Sequence, residues 1–139
     1  MDLAKYRALF LEEATEHLAE LSRALLALEK NAADAEAIDA AFRMAHSIKG
    51  MAASLDYQGP TELAHKLEDL LAAQRAAGAV DARASALLFR ALEGLERMVA
   101  ALRATGEPPA ADPALIAELS GTATEPNESP PKKSSARRP

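Results

Sequence analysis

The sequence predicts an all-α protein: an up-down four-helix bundle with a short fifth helix and a disordered C-terminal tail. Three observations carry that expectation. About half of the 139 residues are apolar, yet only two Tyr, three Phe and no Trp are among them, so Leu and Ala dominate, both strong helix formers and poor strand formers. Apolar residues recur at steps of three and four along four long stretches, and no run of Val, Ile, Thr and aromatics alternates with period two. The breaks between these stretches are short, which places consecutive helices antiparallel.

The first helix is expected over residues 2–30, where Leu11, Ala14, Leu18, Leu21, Leu25 and Leu28 form a bundle-type seam. After a break at 31–33, Asp34 is a good N-cap for a second helix running to about residue 55. Its buried stripe is Ile38, Ala41, Ala45, Ile48 and Ala52, with Phe42 widening it. Residues 56–59 read as a turn. Pro60 then opens a third helix with Leu63, Leu67, Leu70, Leu71 and Gln74 along it, and Gly78 stops it. Asp81 caps the fourth helix, whose seam is Leu88, Leu92, Leu95, Val99 and Leu102 and which closes at Gly106, Pro108 and Pro109. Asp112-Pro113 restarts a short fifth helix through Leu115, Ile116 and Leu119, ending at Gly121. From residue 122 onward no apolar side chain exceeds Ala, so 122–139 is expected to be a disordered linker after a single domain over 1–121.

Composition narrows the function classes. The formal net charge is −5 and is spread along the chain, which argues against nucleic acid as a partner. Lys132, Lys133, Arg137 and Arg138 read as a solvated linker. The absence of Cys excludes disulfides, thiolate chemistry and Cys-type zinc sites. No segment approaches the roughly 18 uninterrupted apolar residues of a membrane span, and the opening residues carry acids too early for a signal peptide. A cytoplasmic location without a membrane partner is expected.

The chemically informative stretch is Ala45-His46-Ser47-Ile48-Lys49-Gly50-Met51-Ala52-Ala53. At about 100° per residue His46 falls at the edge of the apolar stripe, with Lys49, Gly50 and Ala53 on the same flank. Alone, it would read as a core-edge histidine with a satisfied hydrogen bond. Its neighbours make it an accessible imidazole with a cation and small residues beside it. Gly50 costs a helix about 1 kcal/mol relative to Ala. It either clears space for a partner or a phosphoryl group, or serves close helix packing. His17 reads as a surface or boundary residue, Met44 and Met51 as packing.

The third helix supplies His65 and Glu68 on one flank. His46 lies 12 residues before Gln58 and Glu68 lies 10 after it, so the two reach similar heights in an antiparallel pair. Glu68 can then accept a hydrogen bond from one ring nitrogen, fixing the tautomer and leaving the other nitrogen nucleophilic. Lys49 is the candidate to meet incoming negative charge, with His65 assisting.

The string Ala45-His46-Ser47-Ile48-Lys49-Gly50, followed by Leu63-Ala64-His65-Lys66-Leu67-Glu68-Asp69-Leu70-Leu71, resembles the histidine phosphotransfer (HPt) domain of CheA-type chemotaxis kinases. The likeness runs from about Met1 to Gly121. It implies that His46 is the phosphoacceptor at its ε nitrogen, that Glu68 orients it, and that Lys49 and His65 tune it. It also implies phosphorylation by a separate ATP-binding kinase domain, in cis or in trans, and onward transfer to an aspartate of a CheY-like or CheB-like response regulator docked around Gly50, Ser47 and Ala53. ATP and Mg²⁺ then belong to the partner domains, this domain binds no cofactor and no metal, and the isolated domain is monomeric. The chain has no Gly-rich nucleotide loop, so it is expected to be no enzyme alone but part of a larger autokinase. The family commonly continues with a second small residue after the Gly, where this chain has Met51, projecting away from the His46 flank.

Two rival readings stand beside this one. A metal-binding bundle could use two histidines and a glutamate, although Lys49 would set a positive charge beside the ion and only one H-x-x-E pair exists. A purely structural bundle predicts that His46→Gln changes no activity. The Pro/Ser/Lys tail reads as the start of a linker, and hence the chain as a fragment of a longer kinase; a stand-alone relay would look the same.

Overall fold

A computed structural model describes residues 2–121, and all its regular structure is helical. The expected linker at 122–139 lies outside the described residues. Five helices follow in order: α1 (Leu3–Lys30), α2 (Ala35–Ser54), α3 (Gln58–Ala77), α4 (Ala82–Thr105) and α5 (Pro113–Leu119). Capping chemistry sets most of the boundaries. Asp2, Asp34, Asp81 and Asp112 each accept a hydrogen bond from a backbone N–H of the first turn that follows. Gly78 and Gly106 end α3 and α4 in the left-handed conformation.

The helices α1 to α4 form a closed ring in which each packs on its two neighbours, and α5 lies against α3 and α4. Every residue expected on the α1 seam is buried, as is the α2 stripe from Ile38 to Ala52. The main core runs from Leu18 to Leu28 on α1 through Ile48, Leu63, Leu67, Leu71, Leu88 and Leu95. A smaller cluster of Phe10, Leu11, Ala14, Ala52 and Leu102 closes the end near the α2–α3 turn, where Tyr57 meets Phe10 edge-on at 5.2 Å. That turn is tight: Asp56 takes φ 63°, a conformation that Asp tolerates better than most side chains, and Tyr57 N–H donates to the Ala52 carbonyl. At the opposite end the N–H of Val80 donates to the carbonyl of Ala32 at 2.9 Å, tying the α1–α2 and α3–α4 connections together.

Phe42 widens the α2 stripe as expected, half-buried against the main core, and its ring also meets Arg75 of α3. Gln74 is half-buried and accepts a hydrogen bond from the Asp81 N–H, closing the α3–α4 loop rather than lining the core. Met51 is half-buried and packs against both core clusters, so the residue that departs from the family pattern is held by the core on the far side from His46.

A histidine–carboxylate–lysine site across α2 and α3

The tight turn sets the register of α2 against α3. His46 lies eleven residues before Tyr57 and Glu68 eleven after it; Asp39 and Arg75 lie eighteen before and after. Both pairs make contact, so the two helices run antiparallel about a pivot at Tyr57. The pivot at Tyr57 is one residue from Gln58, a difference of one helical rise of about 1.5 Å.

At the first pair the geometry is explicit. His46 Nδ1 lies 2.6 Å from Glu68 Oε2, and Lys49 Nζ lies 2.6 Å from Glu68 Oε1. The His46 side chain is 63% exposed whereas that of Glu68 is only 10% exposed. Burial by itself pushes the Glu68 carboxyl up, but the hydrogen bonds and charges of Lys49 and His46 outweigh it and hold the group below its ordinary value. The carboxylate is therefore ionised near neutral pH and can only accept hydrogen bonds. In the neutral tautomer that donates to this carboxylate, Nδ1 carries the proton and Nε2 keeps its lone pair.

The residues singled out in the sequence are not all brought together. His46, Glu68 and Lys49 form one cluster. Lys49 is engaged on the carboxylate, so its ammonium holds Glu68 in place rather than standing free for incoming charge. His65 is exposed and faces Asp69 one turn on, its Nε2 3.7 Å from Oδ2. Ser47 is half-buried, while Gly50 and Ala53 are exposed on α2. A Cβ built on Gly50 would meet nothing within 4 Å, so the missing side chain serves no packing inside the domain. Both Glu68 oxygens are occupied, and among the described residues no group of three or more His, Cys, Asp or Glu clusters to hold a metal.

Asp39 and Arg75 were not singled out in the sequence, and Phe42 was read only as an apolar residue widening the α2 stripe. Phe42 lies nearly parallel to the His46 ring, with 9° between planes and 6.4 Å between centroids. The Arg75 guanidinium sits 4.1 Å from the Phe42 ring centroid and 3.5 Å from Asp39 Oδ1. The available signal was spacing: Asp39, Phe42, His46, Gly50 and Ala53 follow one ridge of α2 at steps of three and four, and Arg75 is two turns beyond Glu68 on α3.

Comparison with known proteins identifies the family and the fold. The Hpt domain family model matches residues 5–105. The chain is 40% identical over 101 residues to the chemotaxis protein CheA of Bacillus subtilis, covering 71% of this chain, and 34% identical over 104 residues to that of Halobacterium salinarum, covering 73%. It spans about 15% of the length of either relative. Among solved structures, the histidine phosphotransfer domain of CheA in solution superposes with a TM-score of 0.78 at 28% identity, covering 91% of this chain and 98% of that one. The CheA phosphotransferase domain of Thermotoga maritima gives 0.68 at 32% identity, covering 74% and 98%. The phosphorylated P1 domain of CheA3 in complex with CheY6 from R. sphaeroides gives 0.74 at 26% identity, covering 84% and 94%. Among the described residues, no helix is long and apolar enough to cross a membrane. By its helical order, its paired histidine and carboxylate, and these matches, the chain belongs to the Hpt domain family, in its CheA phosphotransfer branch.

Proposed function

We propose that this HPt domain serves a two-component chemotaxis kinase, with His46 accepting a phosphoryl group on Nε2 from an ATP-binding kinase domain and passing it to an aspartate of a CheY-like response regulator. The observation that carries this reading is the division of labour between the two ring nitrogens. Nδ1 is tied to a buried carboxylate at 2.6 Å, while the ring itself is 63% exposed.

The chemistry follows from that division. The Nε2 lone pair attacks the γ-phosphorus of ATP; an N–P bond forms as the P–O bond to ADP breaks. The ring gains positive charge, which the Glu68 carboxylate offsets across the Nδ1–H···Oε2 bond. In the return step an aspartate oxygen of the regulator takes the phosphoryl group, the N–P bond breaks, and the electron pair returns to Nε2. ATP and Mg²⁺ are supplied by the partner domains. The domain itself acts as substrate and docking surface, and a relative's P1 domain captured with a CheY protein supports the choice of acceptor. Docking centres on Ser47, Gly50 and Ala53, where the open space beside Gly50 leaves room for a partner's backbone.

Incubation with labelled ATP and the cognate kinase domain tests this directly. Wild-type protein takes up label that is lost in acid and kept in base, the behaviour of phosphohistidine, and His46→Gln takes up none. Retained labelling of His46→Gln would remove the reading. Gly50→Arg keeps the fold but weakens binding of the regulator in a titration.

A further inference from the structure

The bond to Glu68 decides which nitrogen is free but leaves one angle open. A ring held by a single N–H···O bond can still rock about it. The Nε2 lone pair lies in the ring plane, so rocking changes where it aims. In-line phosphoryl transfer asks for that aim to be held.

A second constraint lies on the opposite side of His46 from Lys49 along α2. Phe42, one turn earlier, presents a ring within 9° of parallel to the imidazole at 6.4 Å between centroids, inside the range of offset stacking. Phe42 is itself only half-buried, so the core does not fix it alone. Arg75 reaches from α3 to cap the ring at 4.1 Å from its centroid, a cation–π distance, and Asp39 holds Arg75 at 3.5 Å.

We infer that Asp39, Arg75 and Phe42 form a positioning array that fixes the tilt of the His46 ring, so that its free nitrogen points along the line of phosphoryl transfer. The inference rests on His46 being the phosphoacceptor. Glu68 selects the ring's tautomer; the array sets its direction. These are separable properties. A donor bound in one orientation on a kinase domain needs both, whereas a small donor that can approach from any side needs only the first. An exposed ion pair such as Asp39–Arg75 stabilises a fold very little, so removing it leaves the bundle intact.

The test uses the 139-residue chain as wild type, Phe42→Leu, Phe42→Tyr and Arg75→Met, each phosphorylated by the cognate kinase domain with ATP and, separately, by potassium phosphoramidate. With the kinase domain, Phe42→Leu is expected to lower kcat about five-fold or more while KM stays within about two-fold, because aim is lost and docking is not. Arg75→Met moves kcat the same way by less, and Phe42→Tyr, which keeps the ring, restores it. With phosphoramidate all four proteins label His46 at similar rates. Wild-type kcat in folded Phe42→Leu and Arg75→Met overturns the inference, and so does an equal loss with both donors, which would point to altered reactivity instead. If Phe42→Leu does not fold, Arg75→Met decides, since its side chain is about half exposed. Failure of wild-type protein to label at His46 with either donor sinks the phosphoacceptor reading itself, an outcome distinct from the others.

Discussion

Gly50 separates two explanations that look alike in sequence. A glycine retained for helix packing would clash when given a methyl group, but here a Cβ meets nothing within 4 Å. Gly50→Ala is therefore expected to raise stability by about 0.5–1 kcal/mol, the helix-propensity gain, as read by urea denaturation. A destabilised variant would return Gly50 to a packing role. Glu68 has the opposite character, since its value depends on ionisation. Its folded-state pKa is depressed, so the unfolded chain takes up the proton first as pH falls. The stability that the carboxylate contributes is complete above the ordinary glutamate value of about 4.3 and drains away as pH falls through the lower folded value. Denaturation of wild type and Glu68→Gln should accordingly differ by a constant amount at neutral pH and converge in acid. A gap that widens on acidification would contradict the sign. At neutral pH, Glu68→Ala should slow phosphorylation of His46 while circular dichroism shows an unchanged helix content; an unaltered rate would make the orienting bond unimportant.

Among the elements, α5 is the smallest and depends most on a single close approach. The segment leading into it crosses Gly59 at the start of α3, where a Cβ would stand 2.2 Å from the Pro109 carbonyl oxygen and 3.1 Å from the Ala111 nitrogen. Both are backbone atoms, so no side-chain rotation relieves the clash. Leu115 and Leu119 of α5 are buried, and Arg90 of α4 pairs with Glu118. Gly59→Ala is expected to cost about 1–3 kcal/mol and to loosen α5 first, visible as faster amide exchange at 115–119 than in the rest of the core. Uniform protection across the chain would exclude this. The helices themselves were legible because Leu and Ala at steps of three and four specify a buried stripe, and Asp34, Asp81 and Asp112 mark where three of them begin. Phe42 was legible only as apolar. Periodicity assigns a residue its angle around a helix but not the neighbour at the stripe's margin, and the ring's partner there is a cation from another helix.

At the scale of the whole molecule, the pairing of His46 with Glu68 was readable because both helices are unbroken from a short turn, so chain count translates into height. The engagement of Lys49 was not readable in the same way. An ammonium on a long stem has many rotamers, and only the buried position of Glu68 between two donors decides that it points inward. His65 shows the complementary limit: sharing a flank with Glu68 does not bring it to the cluster, because an acid one turn further along α3 stands nearer.

The equal arms about Tyr57 have a consequence for how this hairpin can vary. One extra residue in α3 between the pivot and Glu68 swings that carboxylate about 100° around its axis and raises it about 1.5 Å, taking it off α2 with every reactive side chain still encoded. Matched insertions of two full turns in both arms would preserve the facing pair. Length here is information of the same standing as residue identity, and an indel can silence the domain as surely as losing the histidine.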